Sequence, residues 1–574
     1  MQFYHHIINP TDNFATAEYK KERNNKMKNI IVSILALIFS IPLFSQAEDI
    51  PKNISEYAEK VRKDWKIPGM SVAVIKGDST ILMEGFGVKR QGGKDSVRSN
   101  TMFHIGSMSK AFTATAIASL VDKGLLSWES RVKDILPDFD WYCDSTEAVI
   151  QVKDLLTHSS GLVAQVGTYI PNLGYDRDDI YKMLRYIEPY YPLGEKFAYN
   201  NITFIVAARI IETVTGISWE ENIENLIFNP LDMDESTPTA EGFEKAGSKS
   251  SSAHYFGYSS KDGGKIVVSP LRGEERAHHW VNVIGPAGSI CSTAEDMAKW
   301  VKFHMGNGIV SKKIYPDTTA YNSFSEDTLA QRMFFTDFNI GEFRVTPYID
   351  SIRVISQKEM EFLHSGSIRV RGDSTYTRDY GYCWYIEQNK DYKVIYHTGT
   401  TWGFTGVCGF VPQLDLGFAI LCNSEVSEYA RLGLMRYIID QYLPNAKYTD
   451  YSAEGLKKWY SAKKKGSRRA VPCTIERSKI VPEFTAITGT YTKEAPFGDA
   501  QIFLKDGKLY ITIGKYGWTK RLTHHRGNEF HLRSQGHTFP LFFHNYTPDA
   551  NGPVSFEIDF NYNENFGPWT ISSF

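Results

Sequence analysis

The chain has 574 residues, enough for more than one domain, and its 42% hydrophobic and 23% charged residues are ordinary for a globular protein. A net charge of −2 gives no basis for expecting nucleic acid or an anionic membrane surface as a partner. In chain order, Lys26-Met27-Lys28 precedes an apolar run from Ile30 to Phe44, and Ser45-Gln46-Ala47 supplies small residues before a cut. Basic, apolar and cleavage regions in that order predict a secretory signal peptide. The apolar run is shorter than the ~20 residues a spanning helix needs. Residues 1–26 are polar, so translation is expected to start at Met27, with residues 1–47 as leader and signal peptide. The mature protein is then periplasmic or secreted; an uncleaved anchor is the alternative. Cys143, Cys291, Cys383, Cys408, Cys422 and Cys473 show no Cys-Xaa-Xaa-Cys or zinc spacing. Most are expected to be buried as small hydrophobes. No ligand cluster shows in the sequence, and neither metal nor cofactor is expected.

Residues 54–65 predict a helix stopped at Ile67-Pro68-Gly69, and residues 70–75 and 80–86 a hairpin around Gly77-Asp78. Phe103-His104-Ile105-Gly106-Ser107-Met108-Ser109-Lys110 then turns extended chain into an apolar helix over 111–123. Phe112, Ala116, Leu120 and Val121 are available for one buried face. Ser107 sits at the turn, and Lys110 follows at i+3, on the same helical face. A buried lysine loses its proton and can then take that of the serine. Structurally, the same residues read as a capping serine and a surface lysine, and Ser-Xaa-Xaa-Lys by itself is common by chance. Residues 131–136 and 152–156 look helical, followed by a Thr157-His158-Ser159-Ser160-Gly161 loop.

Tyr199 and Asn201 open a second apolar helix, 202–215, ending at Gly216. A tyrosine near a lysine can exist partly as phenolate and act as general base. Asn201 can hold the lysine or a substrate amide. Ser292-Thr293-Ala294-Glu295-Asp296 caps a helix reaching about His304. Residues 236–280 and 310–375 are polar and read as irregular insertions or lids beside a cleft. His397-Thr398-Gly399-Thr400-Thr401-Trp402-Gly403-Phe404 lies in an antiparallel meander. There Gly399 allows close approach of a substrate backbone, His397 offers a hydrogen bond, and Trp402 and Phe404 suit cleft walls. The basic run 454–470 predicts a solvated helix or linker. From Phe484 onward, short alternating strands predict a small all-β module, with the run containing Pro540 at most an edge strand.

Taken together, Ile67-Pro68-Gly69, Phe103 to Ser107 with Lys110, Leu155 to Leu162, Tyr199-Asn200-Asn201, Pro286-Ala287-Gly288 and His397-Thr398-Gly399 resemble the serine β-lactamase and penicillin-binding-protein superfamily. The closer likeness is to its class C-like branch of esterases and D-amino-acid peptidases. It covers roughly residues 50–440. The resemblance implies an α+β fold, with an antiparallel sheet flanked by helices, an all-helical part, and the cleft between them. It further implies Ser107 as nucleophile, Lys110 and Tyr199 sharing removal of its proton, and Asn201 as a positioning group. His397 would replace the lysine of true β-lactamases. Gly399 lets its strand approach, and the backbone N–H groups of Ser107 and Thr400 would form the oxyanion hole. The tail resembles appended lipocalin-like barrels. Leu231-Asp232-Met233 departs from the Pro-Leu-Gly-Met pattern expected from Pro230.

The implied organisation is a hydrolase domain over 48–445, a basic helical linker over 446–480 and a barrel-like module over 481–574. The implied activity is cleavage of an ester or amide through an acyl-serine. Alternatives are acyl transfer to an alcohol such as a sterol-like hydroxyl, β-lactam or D-alanyl-peptide cleavage, and a non-catalytic binding or sensor protein. The expected partner is a small-molecule or peptide substrate, with homo-oligomers through the C-terminal module as a further expectation.

Overall fold

The computed structural model describes residues 53–259, 264–271, 274–314, 348–444, 446–465, 484–491, 499–513, 517–534, 537–544 and 555–558. The segment expected to be a signal peptide, Cys473 and the end of the basic run lie outside them. The main sheet has eight strands: β1 (Gly69–Lys76), β2 (Ser79–Gly87), β3 (Gly366–Gly372), β4 (Thr377–Gly381), β5 (Tyr385–Gln388), β6 (Lys393–Thr401), β7 (Phe404–Val411) and β8 (Leu416–Cys422). All pair antiparallel, in the order β2-β1-β8-β7-β6-β5-β4-β3. The pairing of β1 with β8, from Met70 opposite Cys422 to Lys76 opposite Leu416, joins the first hairpin to strands more than three hundred residues later.

Strands β1, β7 and β8 are apolar at nearly every position because both faces of the sheet are covered. Side chains alternate between two cores. Val72, Val74, Phe418 and Ile420 enter one, with Tyr57 and Val61 of α1 (Ile54–Asp64). Ala73, Ile75, Ala419 and Leu421 enter the other. That second core continues into α2 (Ser109–Asp122), α3 (Thr203–Thr215) and α4 (Ala294–Met305), while α5 (Glu428–Asp440) covers the first. The sequence predicts one buried face for α2, but it is buried from Ser109 to Leu120 on all sides. It lies against α3, the Gly285–Gly288 turn and the helix Gln357–Leu363, so small and apolar residues surround its whole circumference.

Residues 236–280 are not irregular: they hold the helix Ala240–Lys245, the hairpin His254–Ser259 with Lys265–Pro270, and much of the helix Glu274–Val283. Within 310–375, Ile309–Ile314 pairs with Tyr348–Arg353, and the helix Gln357–Leu363 leads into β3. Asp232 takes a φ of 54°, the left-handed conformation that explains a glycine in the related pattern. Of the basic run, α6 (Tyr451–Lys465) is helical, and Trp459 is buried edge-on to Trp65, ring centroids 6.1 Å apart.

The tail forms a seven-stranded antiparallel meander: β9 (Gly489–Tyr491), β10 (Ala500–Lys505), β11 (Lys508–Ile513), β12 (Trp518–Arg526), β13 (Glu529–Ser534), β14 (His537–His544) and β15 (Ser555–Ile558), in sequence order. It is a curled half-barrel rather than a closed one: among the described residues β9 and β15 do not pair. Strand β14 is internal, not an edge. Pro540 faces His531 of β13, and pairing with β15 begins only at Leu541, so the missing N–H interrupts no ladder on that side.

Replacing Ile420, fully buried in the central strand β8, by alanine is expected to lower the unfolding free energy by about 2–5 kcal/mol in urea titration. A loss below about 1 kcal/mol would contradict burial on both faces of the sheet.

Candidate active site

Two glycines bring α2 and the sheet together. Gly106 has a φ of 55°, and a Cβ there would lie 2.8 Å from the backbone nitrogen of Thr400. A Cβ on Gly399 would collide with the carbonyl oxygen of Ile105. The close approach at Gly399 is therefore to the protein's own turn, the one that carries Ser107. Ser107 lies in the 3₁₀ turn Gly106–Met108 that opens into α2, half-buried, with the backbone of Thr400 alongside.

Lys110 is fully buried. Its Nζ lies 3.1 Å from Ser107 Oγ, 2.6 Å from Asn201 Oδ1 and 3.0 Å from the carbonyl oxygen of Ala287. None of these groups is a carboxylate. Burial therefore pushes the amine down to about 7. The amine donates to Ser107 Oγ, Asn201 Oδ1 and the Ala287 carbonyl, and once deprotonated its lone pair can accept the Ser107 hydroxyl proton. Asn201 donates from Nδ2 to Gln165 Oε1 at 3.0 Å and Thr168 Oγ1 at 3.1 Å, which orients its oxygen toward the lysine.

Tyr199 completes the group. Its hydroxyl shares a hydrogen bond with that of Ser107, and its ring centroid lies 4.8 Å from Lys110 Nζ. Burial raises the phenol well above its ordinary value, which opposes the partial phenolate expected from the sequence. Lys110, held at about 7, is thus the group placed to accept a proton, and Tyr199 the one placed to donate. The loop of Tyr199 is held by His158, whose carbonyl accepts from Ala198 N at 2.8 Å and whose Nδ1 accepts from Asn200 N at 3.1 Å. Burial keeps this histidine neutral.

On β6, His397 does not offer a hydrogen bond to the cleft. Its Nδ1 donates to the Thr398 carbonyl at 2.7 Å, and its Nε2 accepts from the Tyr380 hydroxyl at 3.0 Å. Burial pushes it down to about 3, so it is neutral. The cation nearby is Arg431 of α5, buried and donating from Nη1 to the Gly399 carbonyl at 2.9 Å and Thr400 Oγ1 at 3.1 Å. Thr400 is exposed. Trp402 is half-buried and meets Trp280 edge-on, ring centroids 6.4 Å apart. Phe404, expected as a cleft wall, is a core residue packed on Phe103, His104 and Phe243.

The structure thus brings Ser107, Lys110, Tyr199 and Asn201 into one hydrogen-bonded cluster, with Gly399 and Thr400 against the Ser107 turn. Such a cluster can deprotonate a hydroxyl and return the proton. Sequence reasoning missed Gln165, Thr168, the Ala287 carbonyl, Tyr380 and Arg431. Each is distant in sequence from the group it supports, and only the Pro286-Ala287-Gly288 motif carried any signal. Among the described residues the side chains grouped for a metal are His525, Glu529 and His531, in the terminal sheet, so a ligand cluster absent from the sequence spacing is created by strand pairing.

The family model described as Beta-lactamase matches residues 57–441. A protein named unguisins hydrolase from Aspergillus campestris (strain IBT 28561) is 25% identical over 454 residues, spanning 75% of this chain and 72% of its own. Penicillin-binding protein 4 of Amycolatopsis lactamdurans is 26% identical over 287 residues, 48% of this chain and 68% of its own. Among solved structures, the octameric penicillin-binding protein homologue from Pyrococcus abyssi is similar at a TM-score of 0.52 and 20% identity, covering 88% of this chain and 97% of that one. That likeness is one of fold.

Gly399→Ala is expected to displace the Ser107 turn and slow modification of Ser107 by a serine-directed reagent by about 10²-fold, read by quenched-flow mass spectrometry. A near-normal rate would mean that the crossing tolerates a methyl group. A second expectation concerns stability against pH. The folded-state value of Lys110 lies below that of the unfolded chain, so between about 7 and the ordinary lysine value the unfolded state binds more protons. This group's penalty is then full below about pH 7 and fades as pH rises. The stability of Lys110→Met relative to the native protein should be most favourable at pH 6–7 and decline toward pH 10; a flat difference would contradict a lysine held neutral.

Proposed function

The chain belongs to the beta-lactamase family, and from that premise we propose that it is an exported serine hydrolase that cleaves an ester or amide through an acyl-Ser107 intermediate. The observation that carries this is the Lys110 amine, buried with no carboxylate partner among the described residues, 3.1 Å from the Ser107 hydroxyl. Lys110 takes the hydroxyl proton as Ser107 Oγ attacks the substrate carbonyl. The oxyanion is received by the backbone N–H groups of Ser107 and Thr400. Tyr199 donates its phenolic proton to the leaving oxygen or nitrogen and regains one from Lys110. Water, deprotonated by the same pair, then attacks the acyl-serine, and Ser107 leaves with its proton restored.

A neutral His397 supplies no charge for a substrate carboxylate, which favours a neutral ester or amide over a β-lactam. The relative named a hydrolase supports cleavage as the outcome. Transfer to an alcohol is the second reading: the Trp280–Trp402 pair offers an apolar wall for an acceptor. Export rests on the basic, apolar and small-residue order from Lys26 to Ala47.

Mixing the protein with activated short-chain esters, dicarboxylic esters, a D-alanyl peptide and a cephalosporin should give a mass adduct on Ser107 with at least one ester or amide. Ser107→Ala should form none, and Tyr199→Phe should lower kcat by about 10²–10⁴-fold. The acylation rate should rise with pH and level off above about 7, where Lys110 is neutral. Faster clearance with an added alcohol would assign transfer, and equal clearance hydrolysis. An adduct that persists in Ser107→Ala would overturn the assignment.

A further inference from the structure

His525, Glu529 and His531 meet on the terminal sheet through a break in its register. Thr523 faces His531 and His524 faces Phe530, but Arg526 then faces Glu529, so His525 is the extra residue of a β-bulge. A bulge re-aims a side chain out of strict alternation. Here it lays the His525 ring on that of His531, with centroids 4.2 Å apart and planes at 18°. Glu529 and His531 are two residues apart on β13 and share a face. Glu529 is buried, its Oε1 3.0 Å from His531 Nε2. Arg526 donates from Nε to the other carboxylate oxygen, Oε2, at 3.2 Å. The guanidinium thus orients the carboxylate while leaving Oε1 toward the histidines. One ligand atom from each of the three lies within 4.8 Å of the other two.

We propose that this cluster is a binding site for a divalent transition-metal ion of the Zn2+ type. Two imidazole nitrogens and one carboxylate oxygen are a borderline donor set that suits Zn2+, whereas Ca2+ and Mg2+ take oxygen ligands. Bonds of about 2.0–2.2 Å in tetrahedral geometry separate ligand atoms by roughly 3.3 Å, so these ligand atoms, within 4.8 Å of one another, would close on the ion by small side-chain rotations. His525 stands at the exposed rim, so the fourth position opens to water or an outside ligand. The ion would tie β12 to β13 across the bulge and lock the register of a half-barrel whose end strands β9 and β15 do not pair among the described residues.

The test uses untagged full-length protein, stripped with EDTA and titrated with ZnCl2 by calorimetry. A single saturable Zn2+ ion is expected, unaffected by excess Mg2+. His525→Ala and His531→Gln should each weaken it by at least about tenfold. Because His525 is exposed, its variant should fold, as judged by unchanged circular dichroism. Co2+ should give the visible bands of a four-coordinate site in the native protein and not in His525→Ala. No saturable binding, or equal binding and equal Co2+ bands in His525→Ala, would overturn the proposal. Acylation of Ser107 is independent of this site, so its failure or success leaves the outcome legible.

Discussion

A lysine side chain buried with no counter-ion among the described residues is the constraint on which the rest of this structure depends. An ammonium in that position would be strongly disfavoured, so the group titrates near neutrality instead. Its remaining hydrogen bonds must come from neutral acceptors, and the protein supplies them from two separate segments, Asn201 ahead of α3 and the Ala287 carbonyl. Asn201 is in turn oriented by Gln165 and Thr168. This explains why α2 is enclosed on every side: any water-filled gap beside Lys110 would restore its charge.

The second constraint is a steric one. Ser107 meets Thr400 because neither Gly106 nor Gly399 carries a side chain where the two backbones cross. Behind that crossing, Arg431 holds the Gly399 carbonyl and the Thr400 hydroxyl, while His397 is locked as a neutral tautomer between Thr398 and Tyr380. Positive charge therefore lies behind β6, and its histidine serves to order the strand. The same burial raises the Tyr199 phenol and lowers the Lys110 amine to about 7, which separates a proton donor from a proton acceptor within one hydrogen-bonded cluster.

The terminal sheet obeys a looser rule. Its alternating strands bury one face, with Ile511, Phe530, Leu541 and Phe556 among its core residues, but nothing joins β9 to β15 among the described residues. Register then depends on local devices, and the bulge at His525 is one of them.

Local signals determined much of this protein. The hairpin of β1 and β2, the α2 and α3 helices with Gly124 and Gly216 beyond their ends, the short tail strands, and the residues Ser107, Lys110, Tyr199 and Asn201 were all legible in the sequence. Periodicity, turn residues and close spacing encode them. Only the tertiary structure decided the protonation of Lys110 and Tyr199, the turning of His397 into the protein, the placing of Phe404 in the core, the approach of Arg431 and the meeting of His525 with His531. Each depends on which distant segment covers a given side chain, and on the dielectric that covering creates. A one-dimensional pattern carries the identity of a side chain, whereas its charge state and direction belong to its neighbours in space.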